Sequence, residues 1–525
     1  MLIKELSKSL NTNEFWKEYQ NFCKGLPEQD IVIRDLLVLL PDLVKRLGND
    51  AASHQLYKSI STFAQNQPNK GTELYSEIKK SDNVNLIGFI PSILKGIQLN
   101  WDTNYLISEI NSLLLNDDII LKSQGFAAVL NFEKDVFPKE FVDILKNEFE
   151  RDLSETSSQV SLITRILGKY RKEIPDANDI LIKIAQKNIP QVQYEIVDIL
   201  NTEISFVDNA DLFKQLLFTL VSAKPKYGGI FQNFNYGLFY NHTLQLGKLI
   251  VKFLEEWLLY DISRYKDILL FEDTIVRLYE KDNATFKFMI TSWLNSDDML
   301  FHRALEQILM KISLREIKDF ELCKDYLLTL NSKDIDFITS KIIGYIHFKE
   351  ITRSMFYSIL TARIDNPEIV NNVSAIFKEY IIFNYPSTID FLQGKKQVAT
   401  RKEKLIIANI QKAGNKYYDD IKVLPIRNEF SPSEERLKIY NEIHRQGFVK
   451  KQQDDEQNDT SFMSSIKKIQ LRTGRGMFSK YKNIYTEKTE MQAYNYNAEL
   501  PRGEFIDPIG QEKIRRLNRL YKRRS

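Results

Sequence analysis

Apolar residues recur three and four positions apart through most of residues 15–390, the spacing of one face of a helix, and short Asn/Asp turns interrupt them. The clearest stretch is Leu113–Leu130. An apolar helix end, Leu113-Leu114-Leu115, runs into Asn116-Asp117-Asp118, and a second helix follows with Gly125, Ala127 and Ala128 among its apolar residues. Trp293–Leu309 repeats this arrangement around Asn295-Ser296-Asp297-Asp298, and fainter copies lie at Ser81-Asp82-Asn83, Leu153-Ser154 and Asn188-Ile189-Pro190. The pattern predicts pairs of antiparallel helices. Asp117 and Asp297 are the expected caps, accepting free N–H groups of the second helix, and the small residues let paired helices approach closely.

The turns are evenly spaced. Asp82 to Asp117 is 35 residues, Asp117 to Ser154 is 37, Ser154 to Asn188 is 34, and Asp117 to Asp297 is 180, or five intervals of 36. On these turns and helices the chain resembles the HEAT-type α-helical repeat family over roughly residues 15–390. It departs from that family in lacking the Arg after the turn valine in most copies and in its irregular prolines. The resemblance implies an all-α, extended solenoid whose stacked hairpins bury a continuous core and present long surfaces to a partner.

The segment Lys224–Tyr240 breaks the rhythm with Gly228-Gly229, two Asn and six aromatic rings. Gly-Gly and Asn signal turns, so the expectation is a loop. Tyr227, Phe231, Phe234 and Tyr236 then either contact a partner or pin the loop to the core. This divides the chain into a repeat half at 1–222, an aromatic interruption at 223–242 and a second half at 243–394. A basic helical extension (395–449), a polar linker (450–461) and a basic tail with a short terminal helix (462–525) follow. Within the extension, Lys395 to about Tyr418 reads as helical. Ser431-Pro432-Ser433-Glu434 reads as a capping box opening a helix over 432–446.

Charge sharpens the division. Residues 395–525 hold 29 Lys and Arg against 17 Asp and Glu, whereas residues 1–394 hold 44 against 53. A total of +3 therefore conceals two opposed fields. The 19 Gly and 14 Pro in 525 residues are too few for the turns of an all-β fold. Cys23 and Cys323 stand alone, which excludes a cysteine-based structural zinc site and fits a reducing compartment. Met1–Lys8 reads as the start of an amphipathic helix and not as a signal peptide. Leu246–Tyr260, the most apolar window, carries Lys248, Lys252, Glu255 and Glu256 and falls short of the ~20 apolar residues a bilayer span needs. A cytoplasmic location is the expectation.

Enzymatic chemistry finds no motif. The five histidines are dispersed, neither GxxxxGK[ST] nor a strand-linked GxGxxG occurs, and no cofactor or metal is expected. His302 reads as a packing or capping residue. The tail carries the sharper pattern: Lys467, Lys468, Arg472, Arg475, Lys480 and Lys482 interleave with Phe478 and Tyr481, cations for phosphate and rings for stacking on bases. Asp507-Pro508 can start a last helix in which Ile514, Leu517 and Tyr521 share a face and Arg515, Arg516 and Arg519 make the rest positive. Such a basic segment either docks on the acidic body of its own or a neighbouring chain, binds nucleic acid, or meets an anionic membrane or another acidic protein. The expected function is a non-catalytic scaffold or adaptor in a larger assembly, binding a protein on its repeat surface and anchored by the basic tail. A DNA- or RNA-binding subunit is the second reading, and an enzyme with a site assembled from distant helices is the third.

Overall fold

The computed structural model describes residues 2–132 apart from 49, 51 and 99, residues 137–150, 157–237, 246–313, 320–425 and 501–523, and isolated positions between 434 and 490. The fold is all-α. Among the described residues, strands are two-residue pieces. Gly476–Met477 pairs antiparallel with Thr489–Glu490, and Lys480–Tyr481 with Ile484–Tyr485. The chain forms two compact units, Met1–Phe286 and Lys287–Ser525.

In the first unit most helices run between the 8 residues of Leu2–Ser9 and the 15 of Ile33–Leu47. Helices this short are marginal alone in water, so each depends on neighbours to cover its apolar face. The covering follows a rule. Ile33–Leu47 touches Pro68–Lys79, which touches Ile90–Ile97, then Ile119–Val129, Ser157–Lys169, Pro190–Thr202, Gly228–Gly237 and Glu272–Lys281, each contact skipping the helix between. Leu40, Leu74, Ile93, Phe126, Ile163, Ile196 and Phe234 are buried along this series.

Polar cross-links reinforce it at matching positions. Tyr75 and Lys79 donate to the Glu109 carboxylate at 2.8 and 2.7 Å, spanning 34 and 30 residues. Ser161 and Arg165 reach Glu195 over the same spans, the arginine gripping both oxygens at 2.9 Å. In each case a hydroxyl and a cation one helical turn apart meet a glutamate on a later helix, so neither carboxylate is left without donors.

The turns share one hydrogen-bond design. The side chains of Ser81, Asn116 and Ser296 accept from the backbone N–H of Asn83, Asp118 and Asp298 at 3.1, 2.8 and 3.2 Å. The side chains of Asn83, Asp118 and Asp298 accept in turn from Asn85, Ile120 and Leu300 at 3.0, 2.7 and 2.9 Å. The caps are therefore Asp118 and Asp298, one residue beyond the expected Asp117 and Asp297. The first bond folds the chain so that the side chain two residues on reaches the helix N–H. At Gly125 a built Cβ would lie 2.9 Å from the Leu114 backbone nitrogen, so the helix pair is seated closer than any side chain permits.

The aromatic segment is not a loop where it is described: Gly228–Gly237 is helical. Phe231 and Phe234 are buried among Phe253, Trp257 and Phe271, with ring centroids 5.1–5.9 Å apart, and are closed to a partner. Tyr227 is half-buried and Tyr236 is exposed.

In the second unit Ser332–Tyr345 touches Met299–Ser313 and Pro367–Ile376, again skipping a helix on each side. The helix expected from Lys395 is two helices. Thr388–Val398 ends with Lys395 and Lys396 in its last turn, Ala399 and Thr400 are extended, and a Thr400–Glu403 capping box starts Arg401–Val423. Of the expected 432–446 helix, Glu434, Glu435, Lys438 and Glu442 are helical and the rest lies outside the described residues. So does the 450–461 linker.

Gly125→Ala separates packing from propensity. Alanine favours a helix by about 1 kcal/mol over glycine, whereas overpacking costs about 1–3 kcal/mol. Denaturant unfolding is expected to show a net loss of stability, and a gain would disprove the close seating of the Thr103–Leu114 and Ile119–Val129 helices.

Candidate docking site for the C-terminal segment

The segment 501–523 is held within the second unit. Asp507 accepts from Gly510 N at 2.9 Å and Pro508 fills the first turn, so the last helix, Pro508–Leu520, starts where the sequence places it. The preceding turn, Arg502–Ile506, is pinned by Gly503 N, which donates at 2.9 Å to the buried Asn384 side chain. The Arg502 guanidinium lies over the Tyr418 ring at 5.4 Å.

The main seat is the Ser332–Tyr345 helix, whose Ile335, Phe337, Ile338, Ile342, Ile343 and Tyr345 are all buried. Lys341 is only 3% exposed. Its ammonium donates to the carbonyls of Arg519 and Tyr521 at 2.7 and 2.8 Å and lies 3.4 Å from that of Asn518. Those carbonyls belong to the end of a helix, where backbone donors run out and the dipole favours a positive charge; that of Asn518 also accepts from Tyr521 N at 3.3 Å. The Phe337 ring lies 4.6 Å from the same nitrogen, and burial lowers the amine to about 8. Gly344 makes the approach possible, because a Cβ there would stand 2.9 Å from the Arg519 backbone nitrogen.

Three arginines complete the contact. Arg519 donates through Nε to the Gly344 carbonyl at 2.7 Å and pairs with Glu512 at 3.3 Å. Arg515 pairs with Glu504. Arg523 reaches Asp334 at 3.2 Å, Asp297 at 3.5 Å and Asn295 Oδ1 at 2.8 Å, with Phe337 4.7 Å beneath its guanidinium. Asp297, displaced from the capping role, thus serves as an anion for the segment.

Two neutral histidines sit under this layer. His302 is buried beside Tyr345 and Phe337, with Nε2 3.3 Å from the Leu294 carbonyl that ends the preceding helix. It therefore both packs and caps, as the sequence indicates. Burial, aided by the Lys341 charge, lowers its pKa to about 4. Burial and the nearby Arg515 and Arg519 lower His347 to about 3. A neutral His347 with its proton on Nδ1 accepts from Arg519 at Nε2, 3.5 Å away. Glu306, 3.8 Å from that nitrogen, makes no ion pair with a neutral ring, and burial raises its own carboxyl.

Of the tail residues singled out in the sequence, Arg515 and Arg519 meet on this inner face and Arg516 points outward, exposed. Lys480 and Tyr481 form a strand with Ile484 and Tyr485. Lys467, Lys468, Arg472, Arg475, Phe478 and Lys482 lie outside the described residues. Tyr227, Phe231, Phe234 and Tyr236 belong to the first unit. Sequence reasoning missed Lys341 and Gly344. Their signal was a helix apolar on every side, which has to be covered on every side. Among the described residues no three His, Cys, Asp or Glu side chains gather to hold a metal.

No protein-family model and no curated protein matches the chain. A solved structure of an engineered protein aligns with 81% of this chain and all of its own at 12% identity, with a TM-score of 0.21, a likeness too slight to carry any argument.

Acid should loosen this site before it titrates most carboxylates. An unfolded histidine protonates near 6.5 and the buried rings resist to about 4 and 3. The stability they contribute is complete above pH 6.5 and is lost as pH falls from there toward 4. His302 alone is worth on the order of 3 kcal/mol across that window. Denaturant unfolding followed from pH 7 to 4 is expected to show this loss, and His302→Phe to reduce it. A separate variant tests the seat itself. Lys341→Met leaves the Arg519 and Tyr521 carbonyls without this donor, and trypsin is then expected to cleave after Arg515 and Arg519 faster than in the parent protein.

Proposed function

We propose that the chain is a non-catalytic helical-repeat scaffold or adaptor subunit, built of HEAT-like hairpins, that binds a protein on its repeat surface and is anchored by its basic C-terminal region. The next-but-one helix contacts of the first unit and the recurrence of one turn design support the repeat. A single observation carries the protein-binding reading. The residue after the cap in all three turns is an exposed aliphatic side chain, Val84, Ile119 and Met299. A side chain at the first helical position has no helix of its own to pack on, and in the first unit Val84 and Ile119 thereby supply apolar contacts for a partner.

The anchor reading rests on the segment 501–523, where Arg515, Arg519 and Arg523 are engaged by the protein itself. The tail's field is thereby partly spent within the second unit. That favours a structural anchor over the alternative of a nucleic-acid clamp centred on residues 467–482.

Co-purification from native extract tests both readings. A protein that stays bound to the full chain after nuclease treatment, and is lost from Val84→Asp/Ile119→Asp, is the expected result. Both substituted positions are exposed, so the melting temperature of the variant should match the parent. Retention that depends on nucleic acid and disappears on removal of residues 462–525 would overturn the scaffold reading.

A further inference from the structure

The last helix is docked with its polar side inward. Gln511, Arg515, Asn518 and Arg519 lie toward the protein, where Gln511 is buried and the arginines meet Glu504 and the Gly344 carbonyl. At about 100° per residue, Ile509, Lys513, Arg516, Leu517 and Leu520 fall within a single arc of about 100° on the other side. The apolar members of that arc stand open: Ile509 is 70% exposed, Leu517 70% and Leu520 59%, with Ile506 at 60% just before the helix. Lys513 among them, Arg516 at the edge of the arc and Lys522 beyond meet no carboxylate among the described residues. The segment's own acids are engaged, Glu504 by Arg515, Glu512 by Arg519 and Asp507 by the Gly510 N–H.

We propose that this outward face of the Pro508–Leu520 helix seats the protein on an anionic phospholipid surface. The inference rests on the anchor part of the function proposed above and is independent of the repeat surface. The placement of the cations decides the occupant. Lys513 sits within the aliphatic stripe, between Leu520 and Leu517, and Arg516 borders it beside Ile509. A protein groove that took up the stripe would bury Lys513 and would need a carboxylate opposite it, because an unpaired buried charge is strongly unfavourable. At a bilayer the alkyl stems of both cations lie along the aliphatic side chains while their heads turn up to the phosphates. Charge complementarity acts in the same direction, since each cation near an anionic leaflet adds to the attraction. The helix also arrives already formed, its last carbonyls held by Lys341 and its inner face by Arg515 and Arg519, so binding need not order a free peptide. No helix among the described residues is long and apolar enough to cross a membrane, so the contact is one of lying on the surface.

Flotation of the full chain with vesicles tests this. Binding is expected to vesicles of phosphatidylcholine with phosphatidylserine, to weaken with added salt, and to be absent from phosphatidylcholine alone. Lys513→Glu/Arg516→Glu is expected to lower partitioning by roughly tenfold or more, and Ile509→Ser/Leu517→Ser to lower it comparably. All four positions are on the exposed arc, and circular dichroism and melting should match the parent. Val84→Asp/Ile119→Asp should bind vesicles as the parent does, which separates this result from the fate of the repeat surface. No binding of the full chain to the phosphatidylserine vesicles would overturn the proposal. So would binding that Ile509→Ser/Leu517→Ser leaves unchanged, since that would assign the attraction to charge elsewhere, such as residues 467–482.

Discussion

A short helix satisfies its own backbone but not its apolar face, and both units are answers to that constraint. Helices of about 8–15 residues gain too little from propagation to survive alone. Each is covered by helices found some 30–40 residues away. The long hydrogen bonds record this spacing, with Tyr19 reaching Ala52, Tyr170 reaching Val129 and Tyr385 reaching His347. The polar ladder of Glu109 and Glu195 obeys the same spacing, because the spacing is set by the packing and not by the charges.

Unit 2 meets the constraint differently at the Ser332–Tyr345 helix. Its next-but-one neighbours leave part of it open, and the cover comes from 175 or more residues away. The cover is polar. A helix presented through arginines and a lysine-held carbonyl end contributes less hydrophobic burial than a core helix, and its hold is built from bonds whose geometry has to be right. Gly344 supplies that geometry, and no other residue type would allow the Arg519 backbone so near.

The helical class, the turn positions and the start of the last helix at Asp507-Pro508 were legible because each depends on residues close together in sequence. Even there the cap slipped by one, from Asp117 to Asp118, because the competing bond from Asn116 is as local as the cap and the residue types alone do not rank them. Phe231 and Phe234 were legible as special but not as buried. Gly-Gly and Asn signal a turn locally, and the pull of Phe253, Trp257 and Phe271 overrides that signal from further along the chain. The seat of the segment 501–523 was not legible. Nothing near Lys341 in sequence marks a helix end as its partner. The charge split does allow the basic tail to dock on the protein's own body, and that is how Arg515, Arg519 and Arg523 are used, but it does not say where.

The distance between Lys341 and the carbonyls it holds has a temporal meaning. At the ~5–20 residues per second of protein synthesis, the 180 residues separating Lys341 from Tyr521 take roughly 9–36 s to appear. For that interval every nascent chain displays the apolar 332–345 helix with a lysine at its centre and no lid. Collapse of small segments takes microseconds, so the second unit waits, otherwise assembled, for its last piece. During that wait the helix is open to contacts that the finished fold denies.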